Sequence, residues 1–447
     1  MYSENLKKIL DKAKKAYSVD YEKYSLYNVK RGLRNEDGTG VLAGLTSIGE
    51  VRGYIIDDGE RVPVEGHLSY RGVDIYKIVE ACSKEKRFGY EEVAFLLLFG
   101  FLPTAEMLEH FKEVLGHLRN LPGSFTEDMI MKAPSKNIMN KLASAVLSMY
   151  SYDENADSTE IGNLIRQSLE IIGKLPTIMC YAYQTKRHYY DHASFILHSP
   201  REDYSTAENI LHMIRPDNKF SRFEAEVLDL MLMLHAEHGG GNNSAFVCRA
   251  TSSTGTDTYS SIAAAIGSLK GPKHGGANAK VTSMMNNIEC NISDWSDDDE
   301  IKAYLKKIIQ GEANDGSGLV YGMGHAIYTV SDPRAVILKA KAESLAAAKG
   351  YLKEFNLYKA IERLTPEVFR EVKGINKAMC ANVDMYSGLV YKMLDIPQDL
   401  FTPLFAVART AGWCAHRIEE ISNNKIIRPA YKNISHNVEY IPMSERK

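Results

Sequence analysis

The chain has 447 residues, enough for two or three domains and a large buried core. Its 54 Lys+Arg against 57 Asp+Glu give a net charge of -3, which excludes the strong basic field that draws a protein to nucleic acid or anionic lipid and leaves small-molecule chemistry as the better fit. Six cysteines (Cys82, Cys180, Cys248, Cys290, Cys380, Cys414) stand far apart without a C-x-x-C pair, which argues against a disulfide framework or a zinc site and fits reduced thiols.

The opening segment, MYSENLKKILDKAKKAY, lacks the apolar stretch of a secretory signal, and Glu4 and Asp11 interrupt what would otherwise be a basic amphipathic presequence. No apolar run approaches the ~18 residues of a membrane-spanning helix, so a cytoplasmic protein is expected. From Ser47 to Leu68, short runs containing Val51, Tyr54, Ile55, Ile56, Val62 and Val64 flank Asp57-Asp58-Gly59 and predict a small hairpin. Almost everything else has helical period. Met107, Leu108, Phe111, Val114, Leu115 and Leu118 follow a Pro103-Thr104 start and stop at Asn120 and Pro122-Gly123. A second helix is predicted from Ser296, with Asp299 completing a capping-box variant and Ile301, Tyr304, Leu305, Ile308 and Ile309 on one face.

Glycine clusters at 239–241, 271–276, 311–318 and 322–324 punctuate this pattern, and three of them adjoin histidines. In LHAEHGGGNNSA, His235 and His238 are spaced i, i+3 with no third ligand in view, unlike the i, i+4 spacing of a zinc-protease helix. His235 reads as a buried structural residue. His238, beside three glycines, can face a cleft and hydrogen-bond a substrate. In SLKGPKHGGANAKV, His274 precedes a helix predicted near Ala277, whose positive end favours a neutral imidazole. In GSGLVYGMGHAIYTVSDPRA, Gly322-x-Gly324 lacks the third glycine and βαβ setting of a dinucleotide fingerprint, and His325 ends the loop. Arg334, beside Asp332-Pro333, suits either a surface ion pair or a carboxylate clamp. Asp384 in NVDMYSGLVYKML reads on its own as a helix N-cap. In ARTAGWCAHRIEEISNNKIIRPAY, Arg417 beside Glu419 and Glu420 reads as a solvated charge, leaving Arg409 and Arg428.

Taken together in this order, the five segments resemble the citrate synthase family, from about Arg34 to Tyr431. The resemblance implies a mainly α, two-domain multihelical fold with a small N-terminal β-hairpin. Its large domain would span 1–278 and 391–447, with a small domain of 279–390 closing on it. It further implies that His274, His325 and Asp384 are catalytic and that His238, His325, Arg334 and Arg409 bind oxaloacetate, with Arg428 reaching in from the other subunit of an obligate homodimer. Acetyl-CoA would be a cosubstrate, with no tightly bound cofactor; backbone groups of Leu319, Val320, Tyr321, Gly322, Met323 and Gly324 would hold its adenine, and Arg34 a phosphate. Thr329 departs from the family, which often has a basic CoA-binding residue there; Lys270 or Lys273 are the substitutes at hand. The alternatives are a 2-methylcitrate synthase acting on propionyl-CoA, a citryl-CoA lyase and a non-catalytic CoA-binding scaffold. Both histidines, the aspartate and all three arginines count against the scaffold.

Overall fold

Asp58 (φ 47°) and Gly59 (φ 82°) both take left-handed backbone, the geometry a two-residue hairpin loop needs to match the twist of its strands. Strand β1 (Gly49–Asp57) therefore folds back on β2 (Glu60–Tyr70), with Asp57 opposite Glu60 and Gly49 opposite Tyr70 and a register shift between Arg52 and Tyr54. A two-residue β3 (Val73–Asp74) completes an antiparallel sheet in the order β1-β2-β3. The hairpin is the one expected from the sequence, shifted two residues along the chain, from Gly49 to Tyr70 where Ser47 to Leu68 was expected.

The computed structural model describes residues 4, 7, 9, 10, 13, 21–374, 378–435 and 438–446. It divides into a unit of Met1–Gly44 with Ile427–Lys447 and a unit of Leu45–Ile426. The smaller unit holds α1 (Glu22–Leu26) and an isolated bridge between Arg34 and Gly40. The larger holds the sheet and the helices α2 (Ile75–Glu85), α3 (Tyr90–Phe99), α4 (Ala105–Leu118), α5 (Ile138–Met149), α6 (Ile161–Asp191), α7 (Thr206–Ile214), α8 (Arg222–His235) and α9 (Asn243–Ser252). These continue with α10 (Thr258–Leu269), α11 (Ala277–Asn291), α12 (Asp298–Gln310), α13 (Pro333–Lys349), α14 (Leu352–Lys373), α15 (Asp384–Met393) and α16 (Phe401–Asn423). The mainly α reading holds. Among the described residues no helix is long and apolar enough to cross a membrane.

Local chemistry sets the helix starts. Thr104 caps α4 by accepting from Met107 N at 3.2 Å, as its sequence predicts, and Ser205 and Ser221 form full capping boxes with Glu208 and Glu224 on α7 and α8. For α12 the start lies one residue later than expected. Asp297 accepts from Asp299 N and Glu300 N, because a carboxylate outcompetes the neighbouring hydroxyl, and Ser296 turns back to Asp294. Buried faces of α6, α8 and α16 form the centre of the larger unit, with α3 apolar nearly all round between α8 and α16. The helices from α11 to α15 pack on one another. Asn278 of α11 meets Ser387 of α15 at 2.5 Å, and Lys302 of α12 meets Glu367 of α14 at 2.8 Å. A Cβ on Gly388 would stand 2.8 Å from Asn278 Oδ1, so the α11–α15 crossing depends on that glycine.

Candidate active site

Helix α8 ends at His235, whose Nδ1 donates to Met231 O at 2.7 Å; its Nε2 is buried without a partner. Burial presses its pKa down to about 3, which suits the structural role expected for it. Three residues on, His238 is buried with Nε2 also unpartnered. Burial first, then Arg334, His325 and Arg409, hold it far below the ordinary imidazole range, so the ring is neutral.

Two arginines on different helices act electrostatically on this ring. Arg409, on α16, is fully buried, donates through Nε to His235 O at 2.6 Å and lies over Phe405; Nη1 and Nη2 have no hydrogen-bond partner. Burial lowers its pKa to about 10, with Glu237 foremost among the charges that resist. Arg334 sits in the first turn of α13 and makes a fork on Asp332, Nε to Oδ1 at 3.0 Å and Nη2 to Oδ2 at 2.7 Å. Both partners are buried, so the surface ion pair is not what forms: Pro333 starts α13 and turns the pair into the core.

His325 hangs from a loop fastened to the segment before α15. Gly322 (φ 85°) and Gly324 (φ 86°) give that loop its left-handed turns, and a Cβ at 322 would press on Met385. Gly324 N donates to Cys380 O at 2.7 Å, Asn382 N to Gly322 O at 2.9 Å and Asn382 Nδ2 to Gly324 O at 2.9 Å. The same Asn382 accepts from Asp384 N at 3.0 Å. Asn382, not Asp384, thus shields the helix end; Asp384 is the first residue of α15, and its carboxylate is free of capping duty. Burial raises the Asp384 carboxyl to about 6, Arg334 and Arg409 opposing and Asp332 assisting.

Hydrogen-bond partners also fix the tautomers of His325 and His274. His325 Nδ1 accepts from Ile327 N and Tyr328 N, each at 3.1 Å, which leaves the ring hydrogen on Nε2. The ring stacks on Tyr328, centroids 4.8 Å apart, and meets His238 edge-on at 5.2 Å. His274 Nε2 accepts from Ser244 N at 3.3 Å with Ser244 Oγ 3.0 Å away, so its hydrogen sits on Nδ1. Burial and Arg409 lower it to about 4, and α11 begins three residues later, as expected. His238 feels the charges of Arg334, His325 and Arg409, Asp384 feels both arginines, and His274 joins them through Arg409.

The family model described as "Citrate synthase, C-terminal domain" matches residues 36–430. The chain belongs to the citrate synthase family. A citrate synthase of a Synechocystis species is 35% identical over 390 residues, 86% of this chain and 89% of the relative. A 2-methylcitrate synthase of Corynebacterium glutamicum is 32% identical, covering 94% and 98%. The crystal structure of citrate synthase from Pyrobaculum aerophilum superposes with a TM-score of 0.72 at 31% identity, covering 91% and 94%. As a family member the chain is an acyltransferase, as its five segments implied.

Other residues that build this candidate site were not picked out from sequence. The hairpin backs the His325 loop: a Cβ on Gly53 would stand 2.7 Å from Ile327 O, Gly66 N donates to Ser331 Oγ at 3.1 Å, and Tyr328 donates to His67 O at 3.2 Å. Glycines at 53 and 66 inside a strand pattern were the available signal. Arg417 reverses its expectation. It is buried, donating to Thr258, Ser261 and Ser252 hydroxyls and to Thr256 O, while Glu419 and Glu420 pair with Arg249. Its α16 position faces α10, which sequence adjacency to two glutamates concealed. Of the loop residues 319–324, Leu319 is exposed, Val320 buried, and Tyr321 donates to Asp315 at 2.7 Å. Thr329 has a buried hydroxyl without a partner. Lys270 and Lys273 are exposed. Arg34, donating to Gly38 O at 3.1 Å, and Arg428 belong to the smaller unit.

Proposed function

We propose that this site condenses acetyl-CoA with oxaloacetate through His274, His325 and Asp384. The observation that carries the reading is Arg409: a fully buried guanidinium with two unpartnered terminal nitrogens, beside the unpartnered Nε2 of His238. Burying a cation's donors unpaired is costly, and a planar carboxylate accepts both at once. Oxaloacetate supplies two carboxylates, for which His238, Arg334, Arg409 and a partner subunit's copy of Arg428 are the ligands.

Asp384 takes a proton from the thioester methyl while His274 Nδ1–H stabilises the oxygen of the forming enolate. A base of pKa about 6 is better matched to this task than an ordinary carboxylate, though the step still requires that oxygen to be stabilised. The enolate carbon then bonds to the ketone carbon of oxaloacetate, and His325 Nε2–H donates its proton to the new alkoxide. Water finally cleaves the thioester of citryl-CoA, giving citrate and CoA. Backbone groups of Leu319 to Gly324 hold the adenine, residues 279–390 close over the remainder of the chain to exclude water, and the enzyme works as a cytoplasmic homodimer.

The test is CoA release from acetyl-CoA and from propionyl-CoA with oxaloacetate. Faster acetyl turnover is expected; a preference for propionyl-CoA would shift the assignment to 2-methylcitrate synthesis, a difference of one methylene worth about 1–3 kcal/mol. In the same assay Arg409→Gln should raise the KM for oxaloacetate at least a hundredfold, and an unchanged KM would remove Arg409 from the ligand set.

A further inference from the structure

Arg409, Gly412 and His416 lie on one face of α16, since residues three and four apart are neighbours on a helix. That face abuts the 235–239 turn. Gly412 permits the approach, because a Cβ there would stand 2.5 Å from Ala236 O. His416 Nε2 lies 3.0 Å from Glu237 Oε1, which also accepts from Gly239 N at 2.5 Å. Both Glu237 and His416 are completely buried. Arg249 settles where the ring hydrogen resides. Its Nη1 is 3.0 Å from His416 Nδ1, and a guanidinium can only donate, so Nδ1 accepts and Nε2–H points at Glu237. Arg249 is itself fixed by Glu419 at 2.6 Å, Glu420 at 2.8 Å and Leu45 O at 3.2 Å.

Glu237 Oε2 has no partner, and Glu237 is the strongest anionic influence on Arg409, whose two terminal nitrogens are unpartnered too. A loose carboxylate there would swing onto Arg409 and fill the place of a substrate carboxylate. We infer that Arg249 and His416 are positioning residues that hold Glu237 back from Arg409, leaving the guanidinium open for oxaloacetate while keeping a counter-charge nearby. The turn that Glu237 shares with His238 is fixed by the same contacts. This inference rests on Arg409 being an oxaloacetate ligand.

Steady-state kinetics with oxaloacetate varied at saturating acetyl-CoA test it. His416→Leu should raise the oxaloacetate KM about tenfold or more with kcat within about threefold, the size expected for losing one charge-assisted buried hydrogen bond. Adding Glu237→Gln should bring the KM of His416→Leu back toward the parent value, because a neutral amide does not compete for Arg409. His416→Gln, which can donate and accept at the same two partners, should stay near the parent. An unchanged KM in His416→Leu, or a KM rise that persists in the double variant, would overturn the inference, since a merely structural defect would not be rescued. Should His416→Leu fail to fold, His416→Asn, too short to reach Glu237, gives the same reading with the same two outcomes. If Arg409→Gln raises KM while the His416 series leaves it alone, this inference alone falls; if Arg409→Gln also leaves KM alone, the ligand assignment falls with it.

Discussion

Replacing Asp384 by Asn should make the protein more stable and nearly inactive, and the stability gain has a defined pH dependence. Burial raises this carboxyl from 3.8 to about 6, so the folded state binds its proton more tightly than the unfolded chain does. Between those values the native state carries more protons than the unfolded one, and unfolding free energy falls as pH rises. A shift of about two units corresponds to roughly 3 kcal/mol, present in full above pH 6 and vanishing below about pH 4. Asparagine mimics the protonated form and escapes this cost. Urea unfolding followed by circular dichroism at fixed protein concentration should therefore show Asp384→Asn more stable by up to about 3 kcal/mol at pH 8, with about half of that at pH 5. Condensation should drop by about 10²–10⁴, the worth of a positioned general base. A variant that is equally stable at pH 8, or less stable, would refute the claim that a buried, disfavoured carboxylate is kept for chemistry. Unchanged turnover would refute its role as base.

In the parent enzyme, kcat/KM for acetyl-CoA should fall with acid around pH 6 as Asp384 is protonated, with no added limb from His274, which burial keeps neutral above about pH 5; a profile flat from pH 5 to 8 would contradict this. Asn382→Ala removes both the bond to Gly324 O and the acceptor for Asp384 N. It should cost about 1–2 kcal/mol of stability and lower kcat more than it raises either KM, read by thermal melting and kinetics together. Gly53→Ala should cost about 1–3 kcal/mol and lower activity, because its methyl group meets Ile327 O in the loop that carries His325.

The hairpin and α4 were legible in sequence because their signals are local: Asp58-Gly59 dictates its own turn, and Thr104 reaches only to Met107. The proposed trio of His274, His325 and Asp384 could be singled out only as part of an ordered set of segments, since no property of His274 taken singly distinguishes it from any loop histidine. What stayed hidden was decided across distance. Arg417 looked solvated because its neighbours in sequence are Glu419 and Glu420, yet helical geometry turns those carboxylates toward Arg249 and points Arg417 at the hydroxyls of α10. Asp384 looked like a cap because aspartate usually is one, yet Asn382 takes that duty, and this is what leaves a carboxylate idle in a buried place. The same logic explains Arg409. A guanidinium whose Nε alone is used, on a helix that glycine lets approach the 235–239 turn, has its two remaining donors aimed at nothing the chain supplies. The fold keeps two unsatisfied groups, a carboxyl that resists ionisation and a guanidinium with unpaired donors, within each other's field; on the proposed reading an anionic substrate would relieve the second while the thioester proton would employ the first.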